Sequence, residues 1–266
     1  MAKWRAARGC LRDTARQLQR ATEPALLRVL SRCGYRRMPL DVSPCYVPPP
    51  SSRPANRPCA IACPRGEGWF YEVKHDGYRL QVRKASRTIT LYTRNGADWT
   101  ERFPSLAADL TSLPCGSAVI DAEPVHMNGF EALHHAVHKR FDDDLLLWGS
   151  DLMTLNGNDL RSVQLEDRKR RPRHLIERAR IARLLHSETF DDGARLLAEC
   201  GKRGLEGVVS KHKASVYRSG RTTSWIKVKC PAWQEANRDR GQRLFGEVER
   251  PPASAREGGT HDLRVT

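Results

Sequence analysis

The chain has 266 residues, enough for one large domain with a well-buried core. Forty-six Lys and Arg against 31 Asp and Glu give a formal charge of +15 and a pI near 9.9, a balance that favours a polyanionic partner through phosphate neutralisation. No apolar run approaches the roughly 18 residues of a membrane span, no secretory h-region follows the basic start, and the eight scattered cysteines form no C-x-x-C pair, so a membrane protein and a disulfide scaffold are both disfavoured and reduced thiols in the cytoplasm are expected.

Residues 1–40 are arginine-rich, with Leu11, Leu18, Leu26, Leu27, Val29 and Leu30 at helical spacing, and read as a basic helical extension. Residues 41–65 form a proline-rich linker that supports neither helix interior nor central strand. Residues 66–232 are dense in pattern, with strands predicted at 69–74, 78–84, 88–94, 117–121, 145–153, 205–211 and 224–229 and helices at 103–112, 129–139, 166–184 and 191–203. Strands in hairpin spacing with "DG" and "NG" turns predict an α+β fold with antiparallel sheets flanked by helices. Residues 233–266 are polar and read as a largely disordered tail.

The stretch "WFYEVKHDGYRL" predicts a strand, a turn at Asp76-Gly77 and a returning strand, which would set Lys74 and Arg79 across one hairpin. Paired cations call for an anion between them, or for a lysine that loses its proton and becomes a nucleophile. Taken alone, the string also suits a surface hairpin with solvated charges. "LYTRNGADW" adds Arg94 at a strand end, and "SAVIDAEPV" carries Asp121 and Glu123 on one strand face, an arrangement suited to a divalent cation or a ribose hydroxyl. "LEGVVSKHKASVYRSGRTTSWIKVK" supplies Glu206, Lys211, Lys213 and Arg218, then Lys227 and Lys229 at i, i+2 on a strand, which suits a phosphate clamp. His134, His135 and His138 lack an acidic or cysteine partner at fixed spacing, Asp142–Asp144 read as a solvated loop, and Arg170 and Arg171 as a basic helix face.

The series "KHDGYR", "TRNG", "IDAE", "SDLMTLNGNDLR", "EGVVSK" and "WIKVK", in that order, resembles the motifs of ATP-dependent DNA ligases, within the covalent nucleotidyltransferases, and most closely those of bacterial end-joining repair. The resemblance covers about residues 60–233 and implies an ATP-grasp-like nucleotidyltransferase domain. It implies Lys74 as the nucleophile that becomes AMP-lysine, Arg79 and Glu123 at the ribose, Glu123 and Glu206 at a divalent cation (Mg²⁺ or Mn²⁺), and Arg94 at the ribose and nick phosphate. Lys227 and Lys229 would meet the α-phosphate, Glu72 the adenine edge, and Lys211 and Arg218 the DNA. ATP is the implied AMP donor, and nicked or broken double-stranded DNA the implied partner of a monomer working with end-joining repair proteins. A catalytically weakened remnant that binds DNA as an accessory module shares these features, and RNA ligases and capping guanylyltransferases share Lys-x-Asp-Gly.

Three departures stand out. Ala122 replaces the usual glycine between Asp121 and Glu123. Ser150 stands where an aromatic residue usually stacks on adenine, with Trp148 two positions earlier as the candidate substitute. The resemblance also implies a following OB-fold domain; the 33 residues after Trp233 are too few for that barrel, so self-adenylation by this chain alone is expected to be slow, dependent on a partner in trans, or absent.

Overall fold

The computed structural model describes residues 62–218 and 222–240; the predicted N-terminal helices, nearly all of the linker and the tail beyond residue 240 lie outside the described residues. Strands β1 (Trp69–Lys74), β8 (Gly207–His212) and β9 (Trp225–Lys229) form an antiparallel three-stranded sheet in the order β1-β8-β9. A second sheet runs β3-β2-β4-β5-β6, from β2 (Leu80–Ala85), β3 (Thr88–Thr93), β4 (Ser117–His126), β5 (Leu145–Leu155) and β6 (Asn158–Asp159). Strand β7 (Leu184–His186) pairs parallel with β5.

Alternation decides which face each strand buries. Leu80, Val82, Ile120, Ala122, Leu147 and Leu152 turn to one side of the larger sheet. There they pack against α1 (Pro104–Leu110), α2 (Phe130–Lys139) and α3 (Leu165–Ala179) through Leu106, Leu110, Leu133, Val137, Leu175 and Ile176. Tyr71 and Val208 of the smaller sheet bury a second cluster against Leu196 and Cys200 of α4 (Gly193–Lys202). The opposite faces, bearing Glu72 and Lys74 on β1 and Asp121 and Glu123 on β4, carry the polar motifs.

The expected hairpin does not form. Lys74 pairs with Gly207 in β8 and Leu80 with Thr93 and Ala122, so β1 and β2 belong to different sheets and His75–Arg79 carry the chain from one to the other. The "DG" pair makes a crossing between sheets, because each strand has a better-matched partner far along the chain. The helix predicted over 166–184 ends at Ala179, where Arg180 adopts a left-handed conformation, and Leu184–His186 become the parallel strand, so the larger sheet is mixed. Asp142 is buried instead of solvated, its carboxylate accepting the Ser105 and Leu106 backbone N–H groups at the start of α1. After β9, α5 (Pro231–Ala236) follows, and Arg240 lies over the Phe130 and Trp233 rings while pairing with Asp76.

Candidate active site

The ladder of the smaller sheet aligns the motif residues. Lys74, Gly207 and Lys229 lie in one row across the strands, and Glu72, Val209 and Lys227 in the next, all on one face. Gly207 is the gap that makes this possible: a Cβ there would meet the Val228 carbonyl oxygen at 2.0 Å, with φ at +154°. Lys74 Nζ lies 2.5 Å from Glu206 Oε2, and Lys229 Nζ 2.9 Å from Glu206 Oε1. The nearly buried Glu206 therefore holds both lysines of the row. Lys229 also lies 4.4 Å from the centroid of the Trp233 ring. Lys227 is exposed as a residue, yet partial desolvation, then the nearby Lys74, hold its ammonium below the usual lysine value.

Glu123 approaches from the other sheet. Its Oε1 accepts the Gly77 N–H at 2.8 Å, tying the Lys-His-Asp-Gly loop to β4. Burial pushes its carboxyl up to about 7, with the charge of Glu206 adding to the rise and Lys74, the Gly77 N–H and Lys227 opposing it. Two carboxylates facing each other, one of them reluctant to ionise, fit a hard divalent cation, which commonly takes one or two carboxylates and completes its shell with phosphate oxygens and water. Among the described residues there is no cluster of three or more potential metal ligands.

The pH dependence follows in sign. A carboxyl whose folded value lies near 7, above its ordinary 4.5, adds stability that is complete below 4.5 and lost as pH rises through 7. In EDTA, wild type therefore loses roughly 1 kcal/mol more stability than Glu123→Gln between pH 6 and pH 8, measured by denaturant unfolding.

Gly77 lies flush against β4, where a Cβ would stand 2.1 Å from the Pro124 carbonyl oxygen and 2.9 Å from Glu123 Cγ. Gly77→Ala must lift the loop and break the bond to Glu123. The melting temperature falls by several degrees, for a cost of about 1–3 kcal/mol, and ATP titration shows affinity down by about tenfold or more.

Arg79, expected on the ribose, is bidentate with Asp121, through Nε at 2.8 Å and Nη2 at 2.7 Å, and also donates to Tyr217 Oη at 3.2 Å. Glu72, expected at the adenine edge, is buried between Lys169 and Lys211, each 2.9 Å from its Oε1, while Ser187 Oγ donates to its Oε2. Burial alone would raise that carboxyl; the two lysines outweigh it and hold it near 2. Lys211, expected to touch DNA, is buried in this pair and lies 4.4 Å from the Trp225 ring centroid, out of reach of a surface ligand. Arg94 is exposed in the turn after β3 and makes no ion pair among the described residues. Arg218 is exposed just before the undescribed residues 219–221.

The Ser150 substitution is resolved by a β-bulge. Asp121 pairs with Asp151 but Ala122 with Gly149, so Ser150 is the extra residue and Trp148 comes opposite Glu123. There the Trp148 ring stacks on His75. Ser150 contributes backbone: its carbonyl accepts from Lys169 Nζ at 2.9 Å, and Lys169 also reaches the Ser187 carbonyl at 3.0 Å. Lys169 thus joins β1, β5 and the segment after β7. It and its neighbour Arg168, paired with buried Asp151 at 2.7 Å, are structural groups that the sequence reading missed. Their signal was available, since 168 and 169 fall in the same apolar helical register as Leu165, Pro172, Leu175 and Ile176.

Residues 57–229 match the family model described as ATP dependent DNA ligase domain. The multifunctional non-homologous end joining protein LigD of Pseudomonas aeruginosa is 42% identical over 178 residues, covering 65% of this chain and 21% of that protein's length. LigD of Mycobacterium tuberculosis H37Rv is 32% identical over 174 residues, 64% of this chain and 22% of that protein. The chain therefore spans about a fifth of these relatives. The solved structure of mycobacterial DNA ligase D complexed with ATP and MES superposes with a TM-score of 0.53 at 31% identity, covering 64% of this chain and 56% of the other. With the motif lysines and carboxylates gathered between two sheets as in a nucleotidyltransferase, the chain belongs to the ATP-dependent DNA ligase domain family.

Proposed function

We propose that this chain self-adenylates on Lys74 and passes the AMP to a 5′-phosphate at a DNA nick, in cytoplasmic repair of broken DNA. The observation that carries the reading is the convergence on Lys74 of Glu206, at 2.5 Å, with the cations Lys227 and Lys229 and the opposing carboxylate Glu123. Lys74 passes a proton to the Glu206 carboxylate 2.5 Å away and attacks the α-phosphorus; the nitrogen–phosphorus bond forms as the α–β bridging bond breaks and pyrophosphate leaves. Lys227 and Lys229 meet the charge that builds on the α-phosphate oxygens, positioned before the reaction and therefore without reorganisation cost. Glu123 and Glu206 would hold Mg²⁺ or Mn²⁺, which supplies charge neutralisation at the phosphates when bound. Trp148 offers the stacking surface that Ser150 lacks, and Arg79, held by Asp121, would reach the ribose from that position. Arg94 and Arg218 are exposed cations available to DNA phosphates, in keeping with the +15 charge.

The test is incubation with α-labelled ATP and Mg²⁺ followed by denaturing electrophoresis. Label retained by the protein, and released onto nicked duplex with a 5′-phosphate, is the expected result; intact binding to nicked DNA without label would mark a DNA-binding module instead.

A further inference from the structure

Two rings lie face to face beside Lys74. The His75 imidazole stacks on the Trp148 indole, with centroids 4.5 Å apart and planes 18° from parallel. His75 directly follows Lys74, and Trp148 stands opposite Glu123, so the stack lies within the site. Trp148 also packs against the Leu146 and Leu185 cluster, and the face it turns to His75 is covered by that ring alone as far as the aromatic contacts of the described residues show. Among the described residues the His75 ring makes no hydrogen bond, so the stack is its principal tie. Burial keeps this ring neutral down to about pH 3, and no charge anchors it at working pH.

A base inserted between two rings needs about 3.5 Å on each side, roughly 7 Å in all, by ordinary van der Waals spacing. The observed pair is too close for that. A nucleobase can therefore use this face of Trp148 only if His75 leaves it.

We propose that His75 competes with the nucleobase for the face of Trp148, acting as a base surrogate that nucleotide must displace. The proposal rests on the ligase reading of the site and adds to it a residue that sets nucleotide affinity. Breaking a stack of this kind before forming another lowers the apparent affinity by the strength of the pair lost. The loop beyond His75 stays attached, because Gly77 is bonded to Glu123 independently of the ring. Displacement therefore requires a side-chain rotation and leaves Lys74 where it is.

The experiment measures ATP binding calorimetrically in EDTA, where no adenylyl transfer follows, for wild type, His75→Ala, Trp148→Ala and the double variant. His75→Ala binds roughly two- to tenfold tighter than wild type, and the gain vanishes in the Trp148→Ala background. In wild type, the His75 ring protons, shifted by the indole ring current, move towards their free positions as ATP is added. Equal or weaker binding by His75→Ala, or His75 signals that stay shifted in saturating ATP, overturns the proposal while leaving the ligase reading intact. Absence of ATP binding in wild type and His75→Ala alike overturns both. Should His75→Ala fail to fold, the wild-type spectra alone decide.

Discussion

Replacing Lys74 with alanine removes the AMP–protein adduct, with adenylation falling by roughly 10⁴-fold or more. Neither Lys227 nor Lys229 can stand in. Lys227 and Lys229 lie on β9, on the far side of β8 from Lys74, and Lys229 is already engaged by Glu206. The loss is chemical and not structural, because Glu206 keeps Lys229 as a partner at 2.9 Å when Lys74 is gone, so no buried carboxylate is left uncompensated. Far-UV spectra and melting temperature therefore stay close to wild type. A nick already carrying AMP bypasses the lysine, and Lys74→Ala retains sealing of that substrate within about tenfold of wild type. Loss of both activities together would point to a collapsed site.

The second large effect is on stability. Arg168 and Asp151 are both fully buried and bonded at 2.7 and 2.9 Å, and Arg168 also donates to the Val163 carbonyl. Arg168→Met leaves the Asp151 carboxylate in the interior with only the backbone N–H of Leu152 as a donor. Removing one partner of such a pair costs about 3–5 kcal/mol, a large part of the stability of an ordinary domain. The melting temperature falls by about 10 °C or more. The double variant Arg168→Met/Asp151→Leu recovers much of the loss, since the uncompensated charge is gone. Thermal unfolding of the three variants checks both statements, and recovery failing in the double variant would place the cost in packing around the guanidinium.

The strands were legible in the sequence because half-buried strands alternate, and "WFYEVK", "TITLYT" and "WIKVK" begin and end within a residue or two of the predicted bounds. Their distribution between two sheets was not, since β1 takes its partner from residues 207–212 and nothing local distinguishes a "DG" crossing from a "DG" hairpin. That Lys74, Glu123 and Glu206 gather could be expected from motif order, but their pairings could not. Arg79 goes to Asp121, and Glu72 to Lys169, because salt-bridge partners are chosen by tertiary approach. Trp148 could be nominated by its distance from Ser150; the bulge that turns it towards Glu123 left no mark in residue type. Asp142 looked like any acidic loop until the N-terminus of α1 arrived beside it.

The central claim is a covalent bond at one nitrogen, and peptide mass mapping after incubation with ATP and Mg²⁺ tests it most directly. The account predicts a mass increase of one AMP on the peptide that contains Lys74, labile to acid and stable to alkali as a phosphoramidate is. AMP on another peptide, or no adduct at high protein and ATP concentration, would contradict it.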